Sequence, residues 1–477
     1  MTIEELCALY GRLPQAAALV KSLEGKSKKT LFLKGLVASA TPLLFASVYN
    51  RLHRTLVFIL DDDDDAGYFY HDLTQILGQD RVLFFPSSFK RAVKYGQRDP
   101  ANEILRTEVL TRLTGVDPAT GSQLPQAKAD PEMETYIVTY PMALSELVIS
   151  RTKLNRQVVR LKVGDKLEIS DLVNQLRTLG FKEQDYVYEP GQFALRGSIL
   201  DVYSFSCEYP YRIDFFGDEV DTIRTFEVED QLSKDKKTEI EIVPELAQHE
   251  SEKMPFLQFL PEDSVLLSKD FTFVRDRIDQ TYREVFSTQA LTERLEGVPE
   301  QDQKQIMLQM KRENMLCMAS QFVSDSAKLQ CVEFGAEANR QNTVLSFHIE
   351  PQPLYHKNFQ LLSQSLEDYL LKGYQLYILA DSEKQNQRLK EIFAGDELAS
   401  YHIRFTPVDH TLHEGFVDND LKLCLFTDHQ IFDRFHKYSL RSDSARLGKM
   451  ALTMKELQEL DIGDYMIHVD FGIGKFG

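Results

Sequence analysis

Val187 to Phe226 reads VYEPGQFALRGSILDVYSFSCEYPYRIDFFGDEVDTIRTF, the most β-rich stretch of the chain. Gln192 to Tyr203 reads as one strand and Tyr209 to Phe216 as the next. Gly217-Asp218 supplies a turn, and Val220 to Val228 makes a third strand. In the second strand Tyr211, Ile213 and Phe215 fall on one face and Arg212 and Asp214 on the other. A sheet built this way has one face for a core and one face free to meet a partner.

The surrounding chain alternates differently. Strands at Thr30–Leu33, Thr55–Leu60, Val82–Phe85 and Tyr136–Thr139 are interleaved with helices at Leu43–Leu52, at 61–77 and at Met142–Ile149. That alternation is a parallel α/β pattern. Short strands, led in by a helix at Asp171–Leu179, take over from about Arg151, and a helical pattern returns near Ile240, with a long polar helix-prone segment at Leu291–Ala327. A further α/β alternation starts near Thr343, with strands at Val344–Ile349, Gln375–Ala380 and Leu423–Phe426 and helices at Asn358–Leu371, Ser382–Phe393 and Gln430–Phe435. A new small β-domain opens at Asp461 and breaks off at Gly477, as expected of a piece of a longer chain.

Composition narrows the function. The 477 residues are 43% hydrophobic and 27% charged, with a net charge of −18. A protein that grips duplex DNA mainly through phosphates is expected to show a basic surface, so a nucleic-acid role needs specific residues to support it. No apolar run is long enough to span a bilayer, and the N-terminus MTIEELCALYGRL is amphipathic rather than signal-like. Five scattered cysteines without CxxC spacing read as reduced core residues in the cytosol, and no metal is expected.

The loop after the first strand sits where a phosphate-binding loop would sit. Such a loop needs clustered glycines, a lysine and a hydroxyl. Only Gly35 remains; Thr41 stands at the lysine position and Pro42, which has no N–H, at the Ser/Thr position. The nearest strand with magnesium-binding character, Val265 to Asp270, carries Lys269 where a carboxylate is needed. Asp61 to Asp65 read as negative charge at a helix N-terminus more readily than as a metal site. No catalytic constellation stands out.

Arg196-Gly197-Ser198-Ile199-Leu200-Asp201-Val202-Tyr203 followed by Tyr211-Arg212-Ile213-Asp214-Phe215-Phe216 resembles domain 2 of the excision-repair protein UvrB, and more closely the matching domain of the bacterial transcription-repair coupling factors. Gly35 to Val48 is similar to the UvrB phosphate loop and helix without its lysine. The tyrosine-rich DNA-probing segment of UvrB is replaced by Phe85-Pro86-Ser87-Ser88-Phe89-Lys90. Gly463 to Gly477 looks like the opening of the coupling factors' RNA-polymerase-interacting domain.

The resemblance implies a multidomain α/β protein. It would comprise a degenerate P-loop, helicase-like domain (1–150, completed by 241–345), an inserted α+β meander domain (151–240), a second α/β domain (346–450), a linker (451–460) and the start of a small Tudor-like β-barrel (461–477). It further implies an adaptor that recruits UvrA to RNA polymerase stalled at DNA damage, with ATP, magnesium and DNA handled only by a C-terminal translocase motor outside this stretch, and no enzyme activity within it. Arg196 matches the family's UvrA-binding arginine, with Phe193 as an aromatic anchor and Lys182 as a second basic residue. In the family a C-terminal domain covers this surface at rest. Against the interface reading, Phe193 can be core and Arg196 can pair with Asp201 or Glu189. Two other functions compete: a nucleotide-dependent helicase or damage-probing subunit like UvrB, and a non-binding spacer.

Overall fold

The computed structural model describes residues 2–24, 30–88, 100–114, 134–228, 230–246, 253–284, 316–336, 343–395, 398, 401–408, 410–438, 440, 465–468 and 472–475. Most of the 291–327 segment, Phe89-Lys90 and the linker lie outside them. The chain divides into two units, 1–158 with 245–441, and 159–244 with 442–477.

In the first unit a seven-stranded sheet runs in the order Thr343–Ser346, Leu31–Lys34, Gln330–Gly335, Val265–Ser268, Thr55–Ile59, Thr135–Thr139, Val82–Phe85. Every neighbouring pair is parallel. Fully buried parallel strands read as continuous apolar runs, and Leu31-Phe32-Leu33, Leu56-Val57-Phe58-Ile59 and Val265-Leu266-Leu267 are all buried. Leu31–Lys34, from before residue 140, lies between two strands from after 264, and Val265–Ser268 pairs with Thr55–Ile59, so the intervening chain is an insertion into one fold. Met142–Ile149, read above as one helix, is instead a helix Pro141–Ser145 and a strand Leu147–Ile149 that pairs with Lys253–Pro255. A partner a hundred residues away decides that assignment, which local pattern does not reveal.

A second, mixed sheet in the same unit runs Ile349–Pro351, Phe416–Asp418, Leu423–Thr427, Gln375–Leu379, Thr406–Val408. Helices Phe359–Leu371 and Glu383–Ala394 pack on it through Leu362, Leu366, Leu389 and Phe393. Only two residues separate Ser346, in the edge strand of the first sheet, from Ile349 in the second. Between them the Phe347 N–H donates to the Lys34 carbonyl at 2.8 Å. Gly35 is required here: its φ is +76°, and a Cβ would come within 2.1 Å of the Phe347 carbonyl oxygen. The Tyr10 hydroxyl donates to Asp418 at 2.7 Å, a further tie between the N-terminal helices and the second sheet.

The second unit carries the meander. Its sheet runs Ser233–Lys237, Glu219–Phe226, Tyr211–Phe216, Ile199–Val202, Gln192–Arg196, Lys182–Glu183. All pairings are antiparallel except the last, which is parallel. Gln192 to Tyr203 is a hairpin and not one strand, because Gly197 takes a positive φ of 63° and turns the chain at Gly197-Ser198. Helix Ile169–Thr178 buries Leu172, Val173 and Leu176 against Phe193, Leu200, Val202, Ile213, Phe215 and Ile223. Val159–Lys162 and Glu239–Ile242, where this unit leaves and rejoins the rest of the chain, pair with each other. Tyr465–His468 and Gly472–Lys475 form an antiparallel hairpin. Among the described residues no helix is long and apolar enough to cross a membrane, and the five cysteines are free.

Candidate functional site

The strand registers assign the side chains of the meander to two faces. Phe193, Leu200, Val202, Ile213 and Ile223 face the helix. The opposite face is not wholly free, which corrects the simple two-face reading. A small cluster of Val187, Ala194, Tyr203 and Phe226 is buried there, and polar residues occupy the rest. Asp201, Arg212, Arg224 and Lys236 are direct neighbours in successive strands and so form a row across the sheet. Lys182 is opposite Gln192, and Gln192, Ala194 and Arg196 share a face by strand alternation, so Lys182 and Arg196 lie on this same side. Among the residues these registers place on this side, the cations Lys182, Arg196, Arg212, Arg224 and Lys236 outnumber the carboxylates Asp201 and Asp214, while Glu183 and Asp185 lie beside Arg196 at the edge.

Asp201 organises the site. It is fully buried, and Arg212 grips it with both prongs, Nε to Oδ1 at 2.7 Å and Nη2 to Oδ2 at 2.9 Å. Arg212 also lies over the Phe226 ring, 4.3 Å from its centroid. Arg196 donates to the same carboxylate from the other side and rests 4.8 Å above the Tyr186 ring. Its side chain is 33% exposed, so the guanidinium is oriented from within and open to solvent. The pairing with Asp201 and the accessible surface therefore coexist. Asp214 receives Thr222 at 2.8 Å and Arg224 at 2.5 Å.

Of the sequence candidates, Arg196 and Lys182 are on the surface and Phe193 is not. Phe193 is wholly buried among Leu200, Val202 and Ile213, which removes it as an aromatic anchor. Phe193→Ala is expected to lower stability by about 3–5 kcal/mol through cavity formation, seen as an earlier thermal transition. Unchanged stability would contradict the core placement. The exposed apolar groups near Arg196 are Tyr186, Tyr188 and Leu195. Tyr186, Leu195 and Arg196 line a shallow depression together with Glu183, Gln184 and Asp185. Two tyrosines in Asp185-Tyr186-Val187-Tyr188 flanking one buried valine were a legible signal of this rim.

Several polar groups of the loop at Gly35 are taken up by its own chain, although the loop still lines a cavity with Lys269, His413 and Glu414. The Gly35 N–H donates to the Gly335 carbonyl at 2.7 Å, the Ser39 N–H to the Glu414 carbonyl at 3.4 Å and the Thr41 N–H to the Ala38 carbonyl at 3.2 Å. The Glu414 N–H donates to the Ser39 hydroxyl at 2.8 Å, and that hydroxyl donates to Asp72 at 2.5 Å. The His413 N–H donates to the other Asp72 oxygen at 2.7 Å. Burial pushes the Asp72 carboxyl up to about 7, against these hydrogen bonds. Thr41 and Pro42 are buried in helix Ala40–Ser47.

The aspartate run behaves as a helix start. Asp62 caps helix Asp63–Leu77 by accepting the Asp65 N–H at 2.9 Å. Lys269 bridges Asp61 at 2.9 Å and Asp65 at 2.8 Å, putting an ammonium where a cation would bind. Burial disfavours that charge, but the hydrogen bonds to Asp65 and Asp61 outweigh it and raise the lysine's pKa.

Residues 159–247 match the sequence family described as the UvrB interaction domain, which covers the inserted meander and the paired strands at its base. The chain also matches curated relatives over nearly all of its own length. It is similar to the transcription-repair-coupling factor of Bacillus subtilis (strain 168), with 22% identity over 94% of this chain and 42% of the relative. The same protein of Staphylococcus aureus (strain USA300) is 22% identical over 93% of this chain and 41% of its own length. The chain thus spans about two fifths of the curated relatives it matches.

Proposed function

We propose that this chain is the adaptor region of a transcription-coupled excision-repair protein acting in the bacterial cytosol. In this reading residues 159–247 dock UvrA, through Arg196 supported by Lys182 and the Tyr186–Tyr188 rim. The observation that carries it is the position of Arg196: at a UvrB-interaction domain's surface, held by a buried carboxylate, with its outer edge exposed. A fork held ready in this way loses little freedom on pairing with a partner carboxylate. The excess of cations on the face favours an acidic partner surface. The 461–477 hairpin region is read as the start of a Tudor-like domain for RNA polymerase. ATP, magnesium and DNA translocation are assigned to chain beyond residue 477. The test is capture by purified UvrA of the chain and of Arg196→Glu. No capture of the unaltered chain would sink the docking reading and leave the spacer.

The competing UvrB-like reading requires nucleotide at Gly35. The amides of Gly35, Ser39 and Thr41 are committed to Gly335, Glu414 and Ala38, the Ser39 hydroxyl is held by Glu414 and Asp72, and Lys269 occupies the carboxylate cluster. We read the loop as a relic of a P-loop. Calorimetric titration of the chain with ATP and magnesium is expected to give no binding heat at millimolar nucleotide. Thr41→Lys with Pro42→Thr is expected to give none either, because these substitutions free none of those amides. Saturable binding by the unaltered chain would revive the helicase-type reading.

A further inference from the structure

Four of the chain's eleven histidines converge near the Gly35 loop. His413 follows strand Thr406–Val408, His429 sits in the short helix Asp428–Ile431, His436 follows it, and His71 comes from helix Asp63–Leu77. The His429 and His436 rings lie 4.5 Å apart, His413 and His436 6.1 Å, and His71 and His436 5.1 Å. Tyr68 stacks on His413 at 3.6 Å and donates its hydroxyl to the His436 carbonyl at 2.8 Å, walling one side.

One ring nitrogen from each of His413, His429 and His436 can be chosen so that all three lie within 4.8 Å of one another. His413 Nδ1, His436 Nδ1 and His71 Nε2 are buried with no hydrogen-bond partner among the described residues. Buried polar atoms are nearly always satisfied, so three orphaned imidazole nitrogens in one place call for a ligand. His429 already has the support that ligating histidines use: its Nε2 lies 2.8 Å from the His413 carbonyl, which fixes the N–H there and leaves Nδ1 as the acceptor nitrogen, with only a long 3.5 Å contact to the Thr411 hydroxyl.

We propose that His413, His429 and His436 bind a divalent transition-metal ion of the zinc class, with the fourth position open beside His71. Neutral imidazole is a borderline ligand that suits zinc, cobalt, nickel and copper and does not suit magnesium or calcium. Zn–N bonds of about 2.0–2.1 Å in a tetrahedral shell put ligand nitrogens about 3.4 Å apart, so nitrogens now within 4.8 Å of one another need to close by no more than about 1.4 Å. The bound ion would pin the segment that holds Ser39 of the Gly35 loop to the helix carrying Tyr68 and His71.

The test titrates the chelator-treated chain with Zn²⁺ alone, and separately with Co²⁺. The expected result is one Zn²⁺ per chain, a higher Tm with Zn²⁺, and a Co²⁺ spectrum with d–d bands and no thiolate charge-transfer band. His436→Gln and His413→Gln should weaken binding at least ~10-fold, whereas His348→Gln, on the surface against Asp420, should not change it. No Zn²⁺ binding by the unaltered chain, equal binding by His436→Gln, or a thiolate–cobalt band would each overturn the site. The unaltered chain's cobalt spectrum decides the matter even if a variant fails to fold.

Discussion

Arg196→Glu is expected to reduce capture by UvrA at least ~10-fold, the scale of an interface hot spot, while circular dichroism and Tm show a folded protein. The structure explains why the fold should survive. Asp201 keeps its bidentate bond from Arg212, so losing Arg196 leaves no buried carboxylate without a partner. The introduced carboxylate can turn outward, because the position is one-third exposed. Repulsion from Asp201 and loss of the Tyr186 stack make the change mildly destabilising. Arg196→Lys should fall between, since an ammonium keeps the charge but cannot both hold Asp201 and present a planar fork. Equal capture of the unaltered chain and Arg196→Glu would remove Arg196 from the interface.

Asp201→Ala is expected to act through stability instead. It strips the partner from Arg212, whose side chain is only 14% exposed. Breaking a buried pair from one side costs about 3–5 kcal/mol. The lower end applies, because Arg212 retains the Gln231 carbonyl at 3.1 Å and the Phe226 ring. For a unit of this size that corresponds to a fall of roughly 10–20 °C in its thermal transition by scanning calorimetry. Arg196 would lose its inner anchor at the same time, so binding should fall even at temperatures where the variant is folded. A shift of less than about 3 °C would show that Asp201 does not hold the face together.

How far these features were legible differs residue by residue. The alternation of Tyr211, Ile213 and Phe215 against Arg212 and Asp214 is a local period of two, and the structure keeps it. The turn at Gly197-Ser198 was written in the residues but masked by a continuous run of strand formers on both sides. Missing it also hid the geometry that brings Asp201 back alongside Ala194 and within reach of Arg196. Phe193 could be given a face only once that hairpin was known. The hold on Ser39 of the Gly35 loop depends on Glu414, nearly four hundred residues away, and no spacing rule reaches that far. The histidines are equally non-local: only folding brings His71 beside His436, and the sequence separations of His413, His429 and His436 match no ligand motif.

The paired strands Val159–Lys162 and Glu239–Ile242 bear on more than packing. Val159 lies directly opposite Ile242, so the two ends of the inserted unit are about one strand spacing apart, roughly 5 Å. A host chain interrupted at this point sees its cut ends held almost where a short loop would hold them. The closure entropy that normally penalises a long insertion is met inside the insert, by its own ladder. A segment built this way is portable: it can be grafted into a surface loop of another scaffold, or replaced by a short linker, without stretching the host.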